Sequence, residues 1–178
     1  MCGIAGIFLF SDKNKNRLDR IEGMTGVLHH RGPDDNGYFK NDRVALGHKR
    51  LSIIDLSRNA RQPMINEDNS LVLVFNGEVY NFPKLRKYLI ARGHVFKSNS
   101  DGEVILHLYE EYGVKCPEYL EGMFAFAIYD KNKNNLFLAR DRVGEKPLYY
   151  FKDHDGFYFS SEIKSFPALD NFNKKISP

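Results

Sequence analysis

Two stretches of this chain, Ile4-Ala5-Gly6-Ile7-Phe8-Leu9-Phe10 and Leu71-Val72-Leu73-Val74-Phe75, carry no polar side chain at all. Both are too short for a surface helix and read as strands. Successive side chains of a strand point to opposite faces, and here both faces are apolar, so each strand needs cover above and below. The chain must therefore hold a sheet system buried between other layers.

The remaining pattern supplies those layers. Leu18, Ile21, Met24 and Leu28 recur at helical spacing and predict an amphipathic helix that ends before a polar loop over residues 29–37. Short strands are expected at 44–48 and 51–54. After Phe75, the dipeptide Asn76-Gly77 is expected to halt the strand, and Pro83 to open a helix carrying Leu85, Leu89 and Ile90. Ser100-Asp101-Gly102-Glu103 matches the S-x-x-E capping box, before a helix through Val104, Ile105, Leu108 and Tyr112 that stops at Gly113. Residues 123–129, 136–139, 147–151 and 157–160 read as strands. The pattern fades from Pro167, so 1–166 is expected to be one domain and 167–178 a linker or tail. Strands and helices do not alternate regularly, which favours an α+β fold with antiparallel sheets over a doubly wound parallel sheet.

At 178 residues the chain suits one domain, able to bury roughly 70% of its unfolded surface. Its net charge of +3 comes from Lys and Arg scattered among acids, so no nucleic acid is expected as a partner; only Asn173-Lys174-Lys175 is locally basic. The apolar opening lacks a positive flank before it and a small-residue cleavage site after it, and no run approaches the roughly 18 residues of a membrane helix. No membrane partner is expected, and the location is expected to be cytoplasmic. Cys2 and Cys116 are far apart and lack metal-type spacing. His29, His30, Asp34 and Asp35 are metal-ligand types, but a Gly-Pro turn accounts for the acids, and no metal site is expected. Tyr80, Tyr149 and Tyr150 are expected in the core or a pocket wall.

Cys2 stands out chemically. Removal of Met1 before this small residue would place a thiol and a free amine on one residue. An α-amine titrates at about 7.7 to 8.0 and a thiol at about 8.5, so the amine can take the thiol proton near neutral pH. Activation of a terminal nucleophile by its own amine is an established catalytic design.

The blocks MCGIAGIF, HRGPDDNGYF, LGHKRLSIIDLS, QPM, VFNGEVYNF, SDGEVILHLYEEYG, GMFAFAIYD and LFLARDRVGEKPLYY, in that order, resemble the N-terminal glutaminase domain of glutamine-hydrolysing asparagine synthetase. This is a class II glutamine amidotransferase with an N-terminal nucleophile. The likeness runs from Cys2 to about Ser165. It implies a four-layer αββα sandwich of two antiparallel sheets. It also implies that Cys2 attacks the side-chain amide of L-glutamine, that a cysteinyl thioester forms, and that water then releases glutamate. By the same resemblance, the Asn76 amide and the Gly77 N–H receive the developing oxyanion. Arg50 binds the α-carboxylate, Glu78 and Asp101 bind the α-ammonium, and the backbone around Leu51, Ile53 and Ile54 lines the pocket. Glu103 is left to its capping box, and Arg140-Asp141-Arg142 to an internal charge network.

Gly102 stands where relatives often carry threonine, and Val143 and Glu145 interrupt the usual end of the RDR block. A phosphate loop resembling Ser-Gly-Gly-x-Asp-Ser does not occur, so the chain is expected to need no cofactor. ATP and Mg belong with a synthetase domain absent from this chain, acting in cis or in trans to amidate aspartate. The resemblance also admits a homodimer. Three other readings are a glutamine-binding regulatory module without turnover, a subunit supplying ammonia to a different acceptor, and a hydrolase of another amide.

Overall fold

The apolar runs lie at the centre of two antiparallel sheets in the computed structural model, which describes residues 1–172. The first sheet has the order β2 (Asp35–Lys40), β3 (Val44–Arg50), β1 (Gly3–Leu9), β9 (Gly156–Ser160), β8 (Tyr149–Lys152). The second has the order β4 (Met64–Ile65), β5 (Leu71–Val79), β6 (Gly122–Asp130), β7 (Asn135–Arg140). Helix α1 (Ile21–Gly26) covers the first sheet, while α2 (Phe82–Ile90) and α3 (Glu103–Tyr112) cover the second.

Side-chain alternation builds the four layers. On β1, Ala5, Ile7 and Leu9 pack under Leu18, Ile21, Met24 and Leu28, whereas Ile4 turns to the other face. On β5, Leu71, Leu73 and Phe75 meet Leu89, Val104, Ile105 and Leu108 of the helical layer, whereas Val72 and Val74 face the first sheet. Ile4, Leu46, Val74, Ala127 and Phe159 form the layer between the sheets. The result is the αββα sandwich that the resemblance implied, with no water-facing side on the central strands.

Several local expectations change. The first helical segment is divided into a 3₁₀ helix, Asp12–Arg20, and the short α1, yet its four apolar residues are all buried. The polar stretch at 35–40 is β2, an edge strand whose alternating exposure gives little apolar signal. Residues 51–54 are loop, with Ile53 61% exposed, because β3 ends at Arg50 and no strand pairs with the residues beyond it. Asn76-Gly77 does not stop β5, which pairs with β6 through Asn76↔Ala125 and Gly77↔Phe124. The capping box does not form: the Glu103 carboxylate accepts the backbone N–H groups of Lys97 at 2.7 Å and Ser98 at 2.8 Å, bracing the preceding loop. Gly113 does close α3, at φ +56°.

Helix α3 is tied to its surroundings by a shared carboxylate. Glu110 meets His94 at 3.0 Å and His107 at 2.8 Å, and accepts the Asn66 amide at 2.7 Å. Beyond the expected boundary at 166, a 3₁₀ helix spans Ile163–Ala168 and Leu169 is buried. Phe172 then packs on Phe151, with ring centroids 5.2 Å apart. Packing therefore continues to Phe172, because aromatic residues there complete the α1 layer. The rest of the expected tail, residues 173–178 with its basic triplet, lies outside the described residues. Tyr80, Tyr149 and Tyr150 are exposed rather than core, and Tyr150 stacks on the surface against Phe157. No helix among the described residues is long and apolar enough to cross a membrane.

Two predictions test this packing. A Cβ at Gly6 would stand 2.1 Å from the fully buried Phe159 ring, so Gly6→Ala is expected to cost about 1–3 kcal/mol in urea denaturation, with partial recovery in Gly6→Ala/Phe159→Leu. His48 is sealed between the sheets, and burial, outweighing a bond to the Phe75 backbone, pushes its pKa down to about 3. The unfolded imidazole takes a proton below about pH 6.5 while the folded one does not, so stability is full above that pH and falls as pH drops from 6.5 toward 3. Urea denaturation at pH 7.5 and pH 5 is expected to differ by roughly 2 kcal/mol, and His48→Gln to flatten the difference.

Candidate active site

Cys2 immediately precedes β1, and the register Gly3↔Lys49 sets it against the end of β3. There Leu51 donates its backbone N–H to Sγ at 3.3 Å, while the thiol faces the Leu51 carbonyl at 3.6 Å. The Cys2 carbonyl accepts Arg31 Nε at 2.9 Å, and Arg31 is held in turn by Glu162 at 2.9 Å. Burial pushes the thiol pKa up, against the Leu51 N–H and the charge of Arg50. The sulfur is thus positioned but protonated, and needs a base on attack.

Across the same pocket, β5 offers two donors. Asn76 follows Val72 and Val74 on the face toward the first sheet, is 1% exposed, and has no hydrogen-bond partner for its amide nitrogen among the described residues. Such a buried donor is costly unless a ligand completes it. Backbone N–H groups of odd-numbered residues on β5 face away from β6: Phe75 donates to the Gln62 side chain at 2.6 Å and Val79 to Asp101 at 2.9 Å. Gly77 lies between them, so its N–H points along the same edge. Only glycine fits, because a Cβ would stand 2.2 Å from the Met123 carbonyl.

Arg50 is buried, and its guanidinium donates to the carbonyls of Ser57, at 3.1 Å, and Asp55. Its bonding partners are backbone carbonyls, and no carboxylate pairs with it among the described residues. Asp101 is buried at the foot of α3, one residue before the helix cap; burial pushes its pKa up, and neighbouring Glu78 adds to the effect. Leu51, Ile53 and Ile54 form the wall. All nine residues singled out in the sequence line this one pocket, with a cation at Arg50 and carboxylates at Glu78 and Asp101.

The sequence reading missed three contributors. Gln62 occupies the N–H of Phe75, Arg31 anchors the Cys2 backbone, and Lys146 reaches the pocket from the loop after β7. Asp141 explains that reach: its carboxylate accepts the N–H groups of Glu145 at 2.9 Å and Lys146 at 3.0 Å, and Arg140 donates to the Lys146 carbonyl at 2.7 Å. Arg140 and Asp141 thus brace a loop, as expected of an internal network. The signal for Lys146 was present in the GEKPLYY block, but nothing local tells which of its side chains turns inward. His30 pairs with Glu162, Asp34 accepts the Ser52 N–H and Asp35 pairs with Arg61, so these groups serve separate contacts. Burial pushes the Cys116 thiol up to about 12, away from the pocket.

A protein of Bacillus subtilis (strain 168), asparagine synthetase [glutamine-hydrolyzing] 3, is 42% identical over 178 residues, covering 99% of this chain and 29% of its own. Asparagine synthetase [glutamine-hydrolyzing] 2 of the same organism is 46% identical over 167 residues, covering 93% and 22%. The chain thus spans under a third of the length of these relatives. Among solved structures, glutamine phosphoribosylpyrophosphate amidotransferase from B. subtilis, complexed with ADP and GMP, shares the fold with a TM-score of 0.78 at 22% identity, covering 94% of this chain and 43% of that one. The glutamine amidotransferase domain model matches residues 1–178, and the chain belongs to that family.

Proposed function

We propose that the pocket hydrolyses L-glutamine to glutamate and ammonia, with Cys2 as nucleophile once Met1 has been removed. The observation that carries this reading is the pairing of the orphaned Asn76 amide with the Gly77 N–H in the pocket that holds the Cys2 sulfur. Two donors with no acceptor among the described residues suit an oxygen that gains charge during attack.

The steps rest on the Cys2 thiol, its amine once freed, and the two donors of β5. The freed amine takes the thiol proton as sulfur attacks the amide carbon. The carbonyl oxygen becomes an oxyanion between Asn76 and Gly77. The amine then hands its proton to the departing nitrogen, ammonia leaves and a glutamyl thioester remains. Water, activated by the same amine, adds to the thioester and releases glutamate with return of the thiol.

Arg50 and the two acids supply opposite charges for the α-groups of glutamine. The planar guanidinium can receive both carboxylate oxygens, and Glu78 with Asp101 face an ammonium. Paired recognition of this kind disfavours a plain amide as substrate. The B. subtilis relatives are asparagine synthetases, so the ammonia is proposed to feed ATP-dependent amidation of aspartate, with ATP and Mg held by a synthetase domain rather than by this pocket.

With Met1 attached, the Cys2 nitrogen is an amide and carries no basicity. Intact mass is expected to show loss of Met1 in active protein, and incubation with glutamine to yield glutamate. Cys2→Ala is expected to abolish glutamate release. Asn76→Ala is expected to lower kcat by about 10² to 10³ with little change in KM. A trimmed protein that binds glutamine without releasing glutamate would support the regulatory module instead.

A further inference from the structure

Lys146 carries a charge that the proposed steps do not use. It is 7% exposed, lines the pocket with Cys2, and its ammonium has one partner among the described residues, the Met1 sulfur at 3.5 Å. A thioether is a weak acceptor, so that contact compensates little of a buried charge. The Met1 sulfur is five bonds from the Cys2 nitrogen, a reach of about 6 Å, which places the ammonium within about 10 Å of that nitrogen. Removal of Met1 takes away this partner and frees the amine in one event.

We infer that Lys146 is a positioning residue for the proposed reaction, acting through its charge to hold the Cys2 α-amine in the uncharged, proton-accepting form. This rests on the reading that Cys2 loses Met1 and uses its own amine. The other charges facing the site are those of Arg31, Arg50, Asp55, Asp101 and Glu78. Arg31 is paired with Glu162, and Arg50 is bonded to the carbonyls of Asp55 and Ser57. The Asp55 carboxylate holds the N–H groups of Ser57 and Asn99. Asp101 accepts the Val79 N–H, and Glu78 stands beside it with a charge of opposite sign to Lys146. Glu78 and Asp101 are the groups that would bind the substrate ammonium, and Arg50, whose charge also acts on the Cys2 thiol, is held by backbone carbonyls, so among the described residues Lys146 is the pocket cation held only by a thioether.

A second positive charge disfavours protonation of the amine and favours the thiolate. Both effects help attack, and a less basic ammonium also releases its proton more readily to the leaving nitrogen. At about 10 Å, one charge shifts the amine by about 0.3 to 1.2 pH units between the limits of bulk water and a protein surface.

The chain has two cysteines, so labelling with [¹³Cα]cysteine gives one signal from Cys2 and one from buried Cys116. Titration of the Met1-free protein reports the two coupled apparent pKa values of Cys2, while Cys116 reports an intact fold. Lys146→Met is expected to raise both values by about 0.3 to 1.2 units and move the rising limb of the kcat/KM profile with them, and Lys146→Arg to leave them near the parent. Values unchanged in Lys146→Met with the Cys116 signal intact would overturn the inference while leaving glutamine hydrolysis standing. Shifted values in a parent that releases no glutamate would sink the hydrolysis and keep the electrostatic assignment. Retention of Met1 would overturn both, and loss of the native Cys116 signal in Lys146→Met alone would show a structural role instead.

Discussion

β4 pairs with β5 only opposite Val72 and Leu73, so from Phe75 onward every second N–H of β5 leaves the sheet edge with no strand among the described residues to receive it. Buried backbone donors must find acceptors, and the chain brings them from far away: Gln62 closes the donor of Phe75 and Asp101 that of Val79. Between them Gly77 is left facing the pocket. An edge that would otherwise be a liability is thereby turned into a row of fixed donors, with the Asn76 amide beside it.

The pocket gathers groups that oppose ordinary stability. A thiol and a carboxyl are buried so that their pKa values rise, an amide has no partner among the described residues, and Lys146 lies buried beside a thioether. Such groups persist because the surrounding layers over-determine them. Cys2 is held by Leu51 and Arg31, Asp101 by β5, and Lys146 by the Asp141 brace. Unmet polarity in a well-braced cavity is the physical mark of a site awaiting a ligand of complementary charge.

The layered architecture was legible in the sequence because apolar strands with two buried faces admit few arrangements. The helix at Phe82–Ile90 followed from Pro83 and its apolar spacing, and α3 from Val104, Ile105 and Leu108. What misled was local chemistry overridden by tertiary context. Asn-Gly favours a turn, yet pairing with β6 carries β5 straight through it. Glu103 has the spacing of a cap, yet the N–H groups of Lys97 and Ser98 claim its carboxylate. The apolar residues at 51–54 read as strand, but they are a wall of the pocket.

By itself the sequence determined the buried sheets, the chemical types that the site would contain, and the family, since these are carried by periodicity and by residue identity at fixed order. Only the tertiary structure decided which donors remain unpaired and which charges face Cys2. Lys146 stands 144 residues beyond Cys2 in the chain and Gln62 13 before Phe75, so their roles depend on strand register and loop closure. Those are outcomes of long-range packing, which no local pattern encodes.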